Sequence, residues 1–181
     1  ENKCYSLDVG ILSIARGLMT ENKIVQRIQP EFERLSVAYN ATLVALKVID
    51  IEHSVVIAVS HSQGTMRLNV EVGSRFPTLV SATGRCYAAF GGEREEQLMQ
   101  HFTKLRWNKP PDLDVWKQQV RETLVNGYAV DRGNYISGHM VLTVPVLSHG
   151  IMKYAVSAVG DATTVSNFEE ELALKLNEVI N

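Results

Sequence analysis

Residues 73–92 read GSRFPTLVSATGRCYAAFGG, and this stretch holds the side chains best suited to chemistry. A glycine, an arginine and a proline open it, the mark of a strand ending in a tight turn. Thr78 and Ser81 are small hydroxyl residues able to cap a helix by accepting backbone N–H bonds. Ala82, Thr83, Cys86, Ala88 and Ala89 then predict a small-residue helix over 78–90 that stops at Gly91-Gly92. The first turn of such a helix offers unpaired N–H donors and a positive dipole end, a seat for a small anion. An ordinary helix packed on a sheet is the competing reading of the same residues.

Cys86 invites a nucleophilic reading, because a helix N-terminus lowers a thiol's pKa. Nothing in the sequence places His53, His61, His101, His139 or His149 beside it, however, and it lies some way into the helix. A small buried hydrophobe is the favoured reading. The five histidines form no HxH or HExxH spacing, so no metal site is predicted. His139 stands at the mouth of a strand, from which it could reach a pocket; a merely half-exposed residue is the competing reading.

The elements that must position these residues follow from periodicity. Residues 7–19 place Leu7, Ile11, Ile14 and Leu18 at helical spacing with two glycines between, a short linker or docking helix. Over 21–39, Ile24, Ile28, Phe32, Leu35 and Tyr39 make an amphipathic helix, with Pro30 predicting a kink or two helices meeting. Residues 42–49 and 55–60 read as β-branched strands joined by a polar hairpin loop, and 66–72 alternates as a half-buried strand should. Two helices follow at 93–102 and 113–125, the second started by Asp112 after Pro110-Pro111. Residues 126–137 read as a polar loop. Strands at 138–147 and 151–159 flank Ser148-His149-Gly150, with Pro145 suggesting an edge or a bulge. A helix over 167–180 closes the chain. Hairpins in runs with helices gathered elsewhere mean an α+β fold with a mainly antiparallel sheet.

Bulk properties narrow the class. The chain has 181 residues, 45% of them hydrophobic, enough for one domain with a large core. A formal net charge of -2 gives no basic field for gripping phosphates, so any contact with nucleic acid must come from another segment. Two cysteines outside any CxxC pair fit a reducing cytoplasm. No apolar run approaches membrane-spanning length. The start at Glu1 rather than Met suggests a fragment.

The segments GSRFPTLVSATGR (73–85), GYAVDRGNYISG (127–138), TVPVLSHG (143–150) and AVSAVG (155–160) resemble the effector-binding domain of IclR-type bacterial transcription regulators. The resemblance covers nearly the whole chain. It implies a GAF/PAS-like antiparallel sheet with helices packed on it and a ligand pocket between them. It further implies a linker helix at residues 1–20, leading from an absent N-terminal winged helix-turn-helix domain, and an effector-binding domain at 21–181. Assembly into dimers or tetramers is implied, as is DNA binding only through the absent domain. Carried over position by position, the effector-binding candidates are Ala82, Thr83, Asp131, Val141, Ser157 and Val159. No cofactor, metal or catalytic residue is carried over.

This chain departs from the pattern at Arg85, where the family often has lysine, and at Leu79, where it often has histidine. It also has Gly133 and Asn134 where an acidic residue often follows the aspartate matched by Asp131. Val141 and Val159 are apolar where some relatives hold polar residues. The expected effector is therefore less polar than a two-carbon keto acid, an organic acid or aromatic metabolite with an aliphatic or aromatic body. The competing reading of Asp131 is a loop residue that caps its own turn. The rival functions are a small GAF-fold enzyme using Cys86 or Asp131, and an interaction module with no ligand.

Overall fold

The computed structural model describes residues 23–62, 64 and 68–180; the linker helix expected over 1–20 lies outside them. Helix α1 (Lys23–Ala38) is followed by strands β1 (Thr42–Val48), β2 (Ser54–Ser60) and β3 (Arg75–Phe76). Helices α2 (Ser81–Phe90), α3 (Glu95–Phe102) and α4 (Leu113–Asn126) come next, then strands β4 (Ala129–Arg132), β5 (His139–Ser148) and β6 (Ile151–Asp161). Helices α5 (Ala162–Ser166) and α6 (Glu169–Ile180) end the chain. The strands form one antiparallel sheet in the order β3-β2-β1-β6-β5-β4.

Strand alternation divides the core between the two sheet faces. Met140, Leu142, Val144, Val156 and Ala158 point to the side covered by α1 and α6, against Ile28, Phe32, Leu35, Leu172 and Leu176. Val141, Val159, Ala155, Val44 and Leu46 point the other way, against Leu79, Ala82 and Cys86. Each fully buried leucine or phenylalanine adds roughly 1.5–3 kcal/mol. This explains why α1 runs through Pro30 as one helix. Pro30 is exposed, and Ile28, Phe32 and Leu35 hold both halves to one sheet face.

The β5–β6 turn has His149 and Gly150 both at positive φ, 52° and 77°, the pattern of a two-residue hairpin whose twist suits the strands. Pro145 pairs with Ala155, beyond Thr143 where β4's pairing stops, so this part of β5 has one bare edge. A register irregularity follows at Val146/Leu147.

Three expectations are corrected. The strand predicted over 66–72 is not one in its described residues. The ladder to β2 begins only where Gly73 N donates to Val56 O and Val56 N to Ser74 O, and β3 supplies the edge. Leu68 and Val70 keep their predicted inward orientation without the strand hydrogen bonds. The polar loop over 126–137 contains β4, too short to betray itself by alternation. Helix α2 begins at Ser81, and neither Thr78 nor Ser81 caps it. Thr78 Oγ1 is engaged with Ser54 Oγ at 2.8 Å and the Asp50 carbonyl at 2.8 Å, while Ser81 sits at φ 58°.

Candidate functional site

The first turn of α2 stands over the β1–β6–β5 face and leaves a cleft of about 80 Å³. Val44 and Leu46 of β1, Val141 of β5 and Val159 of β6 form its floor. Leu68, Val70, Phe76 and Pro77 wall one side, Tyr135 and Ile136 of the β4–β5 loop line it too, and Val80, Ser81 and Thr83 come from the helix start. Among the described lining residues none is charged, and the polar groups are hydroxyls.

Local sequence sets the helix start. At Gly84 an added Cβ would meet the Leu79 carbonyl oxygen at 1.9 Å, so only glycine lets the preceding segment fold so tightly onto the helix. That fold turns Ser81 into the cleft. Ser81 is 5% exposed, and its Oγ has no hydrogen-bond partner among the described residues. A buried hydroxyl without a partner costs about 1–3 kcal/mol.

Thr83 Oγ1 lies 3.5 Å from Thr143 Oγ1, which is in turn 2.8 Å from Ser157 Oγ. Thr83 and Ser157 line the cleft, and the Thr143 hydroxyl lies between theirs. Val141 and Val159 are directly opposed across β5 and β6. Thr83, Val141, Ser157 and Val159 thus converge on one space. Ala82 does not line it: fully buried, it packs in the core with Leu79 and Cys86. Asp131 is also outside the lining. Its Oδ1 accepts from Asn134 N at 2.8 Å and its Oδ2 from Tyr135 N at 3.1 Å, which shapes the turn that carries Tyr135 and Ile136 to the cleft.

Behind the helix start lies Arg85, whose side chain is fully buried. Its Nε donates to Gln119 Oε1 on α4, Nη1 to the Ser81 carbonyl and Nη2 to Asn134 Oδ1. Burial pulls the guanidinium below its ordinary pKa, and the Asp131 carboxylate opposes that pull. Cys86 is fully buried with its Sγ donating to the Thr143 carbonyl at 3.3 Å, and desolvation pushes its thiol far up. A thiol so placed is a poor nucleophile. No cluster of three metal-ligating side chains occurs among the described residues. No helix among them is long and apolar enough to cross a membrane.

Sequence reasoning missed Tyr135, Ile136 and the β1 wall, and it assigned Ser81 to a cap. The spacing of Asp131, Asn134 and Tyr135 carried the turn signal that could have found the first two.

The family model for the bacterial transcriptional regulator IclR C-terminal region matches residues 17–180. The chain belongs to the IclR C-terminal family. It is 25% identical over 181 residues to the DNA-binding transcriptional repressor YiaJ of Escherichia coli K12, covering 94% of this chain and 63% of that protein. The chain therefore spans less than two thirds of that curated relative. Solved IclR structures show the same fold. The IclR regulator of Alicyclobacillus acidocaldarius matches with a TM-score of 0.79 at 21% identity, covering 97% of this chain and 72% of that one. The IclR of Thermotoga maritima matches with a TM-score of 0.71 at 19% identity, covering 94% and 69%. The expected α+β, GAF-like IclR domain is what the chain folds into.

Proposed function

We propose that this chain is the effector-sensing and oligomerising part of a cytoplasmic transcription regulator, with DNA contact made by a winged helix-turn-helix domain outside it and reached through residues 1–20. It is read as non-catalytic. The observation that carries the reading is the cleft at the α2 start, apolar-walled and tipped by the unpartnered Ser81 hydroxyl. A binding site of this kind is concave and apolar, with a few convergent polar groups. Thr83, Val141, Ser157 and Val159 contact the effector, and Ala82 and Asp131 hold the helix and turn that close on it.

The effector is an organic acid or aromatic metabolite, its acidic end at the α2 N–H groups and its body on the valines. Contact with Tyr135 and Ile136 orders the β4–β5 loop, and Arg85 links that loop to α2 and α4. A shift of this unit alters how two subunits sit. A coupling of about 1–3 kcal/mol is enough to change operator affinity noticeably. The test is a thermal-shift screen of organic acids and aromatic metabolites, since ligand at a hundredfold its Kd adds about 2.7 kcal/mol. A hit that left both the oligomer geometry and the operator affinity of the intact regulator unchanged would overturn the mechanism.

A further inference from the structure

Beside the cleft lies a second, polar chamber of about 270 Å³, walled by Asn40, Thr42, Ser62, His139 and Asp161. Leu68 and Val159 are walls of both chambers. The inner cleft, at about 80 Å³, is well below the ~300 Å³ at which small-molecule sites begin; the two together reach it.

The β5–β6 ladder orders the two spaces. On one sheet face the opposed pairs run Thr143/Ser157, then Val141/Val159, then His139/Asp161. Side chains on one face recur every second residue, so the outer pairs are separated by four residues, or roughly 14 Å. The face therefore reads hydroxyl, apolar, then acceptor. His139 is 8% exposed, and its Nδ1 faces the Ser137 carbonyl at 3.1 Å. A carbonyl can only accept, so in the neutral ring Nδ1 carries the proton and Nε2 is the acceptor. The Asp161 bonds from the Thr163 N–H, the Thr163 hydroxyl and the Thr164 N–H fall on Oδ1, so Oδ2 takes none of these three. The Thr163 hydroxyl and the Thr163 and Thr164 N–H groups lower its pKa and keep it anionic.

Resting on the effector reading of the inner cleft, we propose that the ligand occupies both chambers and is polar at both ends. Its acidic end lies at α2, its apolar middle crosses Val141 and Val159, and its far end donates a hydrogen bond to His139 Nε2 and Asp161 Oδ2. A hydroxyl suits that far end; a second carboxylate is repelled by Asp161.

Calorimetric titration of the full chain with octanoate, 8-hydroxyoctanoate and octanedioate tests this. The hydroxy acid is expected to bind about tenfold tighter than octanoate, and the diacid weaker than either. His139→Phe should erase the advantage of the hydroxyl and leave octanoate unchanged. Asp161→Asn, which keeps a capping side chain for α5, should relieve the penalty on the diacid. Equal binding of the three acids, or a hydroxyl advantage that survives both substitutions, overturns the two-chamber site alone. No binding of any acid, or octanoate binding that Val141→Trp leaves intact, overturns the inner-cleft reading as well.

Discussion

Arg85 Nη1 donates to the carbonyl of Ser81, one helical turn earlier, at 2.8 Å, so a fully buried cation fixes the residue that opens the cleft. The same guanidinium reaches Asn134 in the β4–β5 loop and Gln119 on α4. Replacing it with methionine leaves Gln119 Oε1, the Ser81 carbonyl and Asn134 Oδ1 without their donor and removes the charge that faces the buried Asp131 carboxylate, for an expected loss of about 3–5 kcal/mol. Arg85→Lys keeps the charge but loses the fork, and should cost less. Urea unfolding checks both. In the double variant with Asp131→Asn the loss should be smaller than the sum of the two single losses, because the two opposite charges attract each other in the native state.

Gly84→Ala runs against helix propensity. Alanine normally stabilises a helix interior by about 1 kcal/mol over glycine. Here the new Cβ meets the Leu79 carbonyl at 1.9 Å, and backbone must move. The expected result is a destabilisation of about 1–3 kcal/mol, together with loss of ligand response in the thermal-shift assay. A more stable G84A protein would contradict the packing described.

Ser81→Ala separates stability from binding. Removing a buried hydroxyl that has no partner should leave the free protein as stable or up to about 1 kcal/mol more stable. Effector affinity should fall about tenfold, measured by calorimetry on the hit from the metabolite screen.

Tyr39 makes stability sensitive to alkali. Burial, followed by its hydrogen bond to Glu171 Oε1 at 2.6 Å, raises its pKa to about 12. The neutral phenol is favoured in the folded state, so its contribution is complete below the ordinary value near 10 and is lost as pH rises through about 12. Denaturant midpoints across that window should fall more steeply for the natural chain than for Tyr39→Phe.

Cys86 should be inert while the protein is folded. With Cys4 replaced by alanine, a maleimide should label the chain only as fast as it unfolds, and at once in urea. Rapid native labelling would return Cys86 to the list of chemical groups.

Legibility in the sequence followed the range of the signal. The 3.6-residue period of Ile28, Phe32 and Leu35 and the His149-Gly150 turn are local, and α1 and the β5–β6 hairpin appeared where expected. Asp112 capped α4 as read, accepting from Asp114 N and Val115 N. The cleft is non-local. Its floor depends on the pairing of β1 with β6, which no periodicity in either strand reveals. Thr78 and Ser81 have capping chemistry, but the hydroxyl of the first is claimed by Ser54 and Asp50, and the second is twisted inward by the close approach at Gly84. The resemblance brought Val141, Ser157 and Val159 forward as a set. It could not show that Asp131 spends both carboxylate oxygens on its own turn.

The central seam of the sheet joins Thr42 to Val159. During synthesis, the first three strands must therefore leave the ribosome with an open flank and wait for the last strand before the seam can close. At translation speeds of about 5–20 residues per second this interval lasts several seconds. A nascent chain stalled ahead of β6 would own every residue of α2 and still lack the strand that joins the β1 and β5 halves of the floor beneath it.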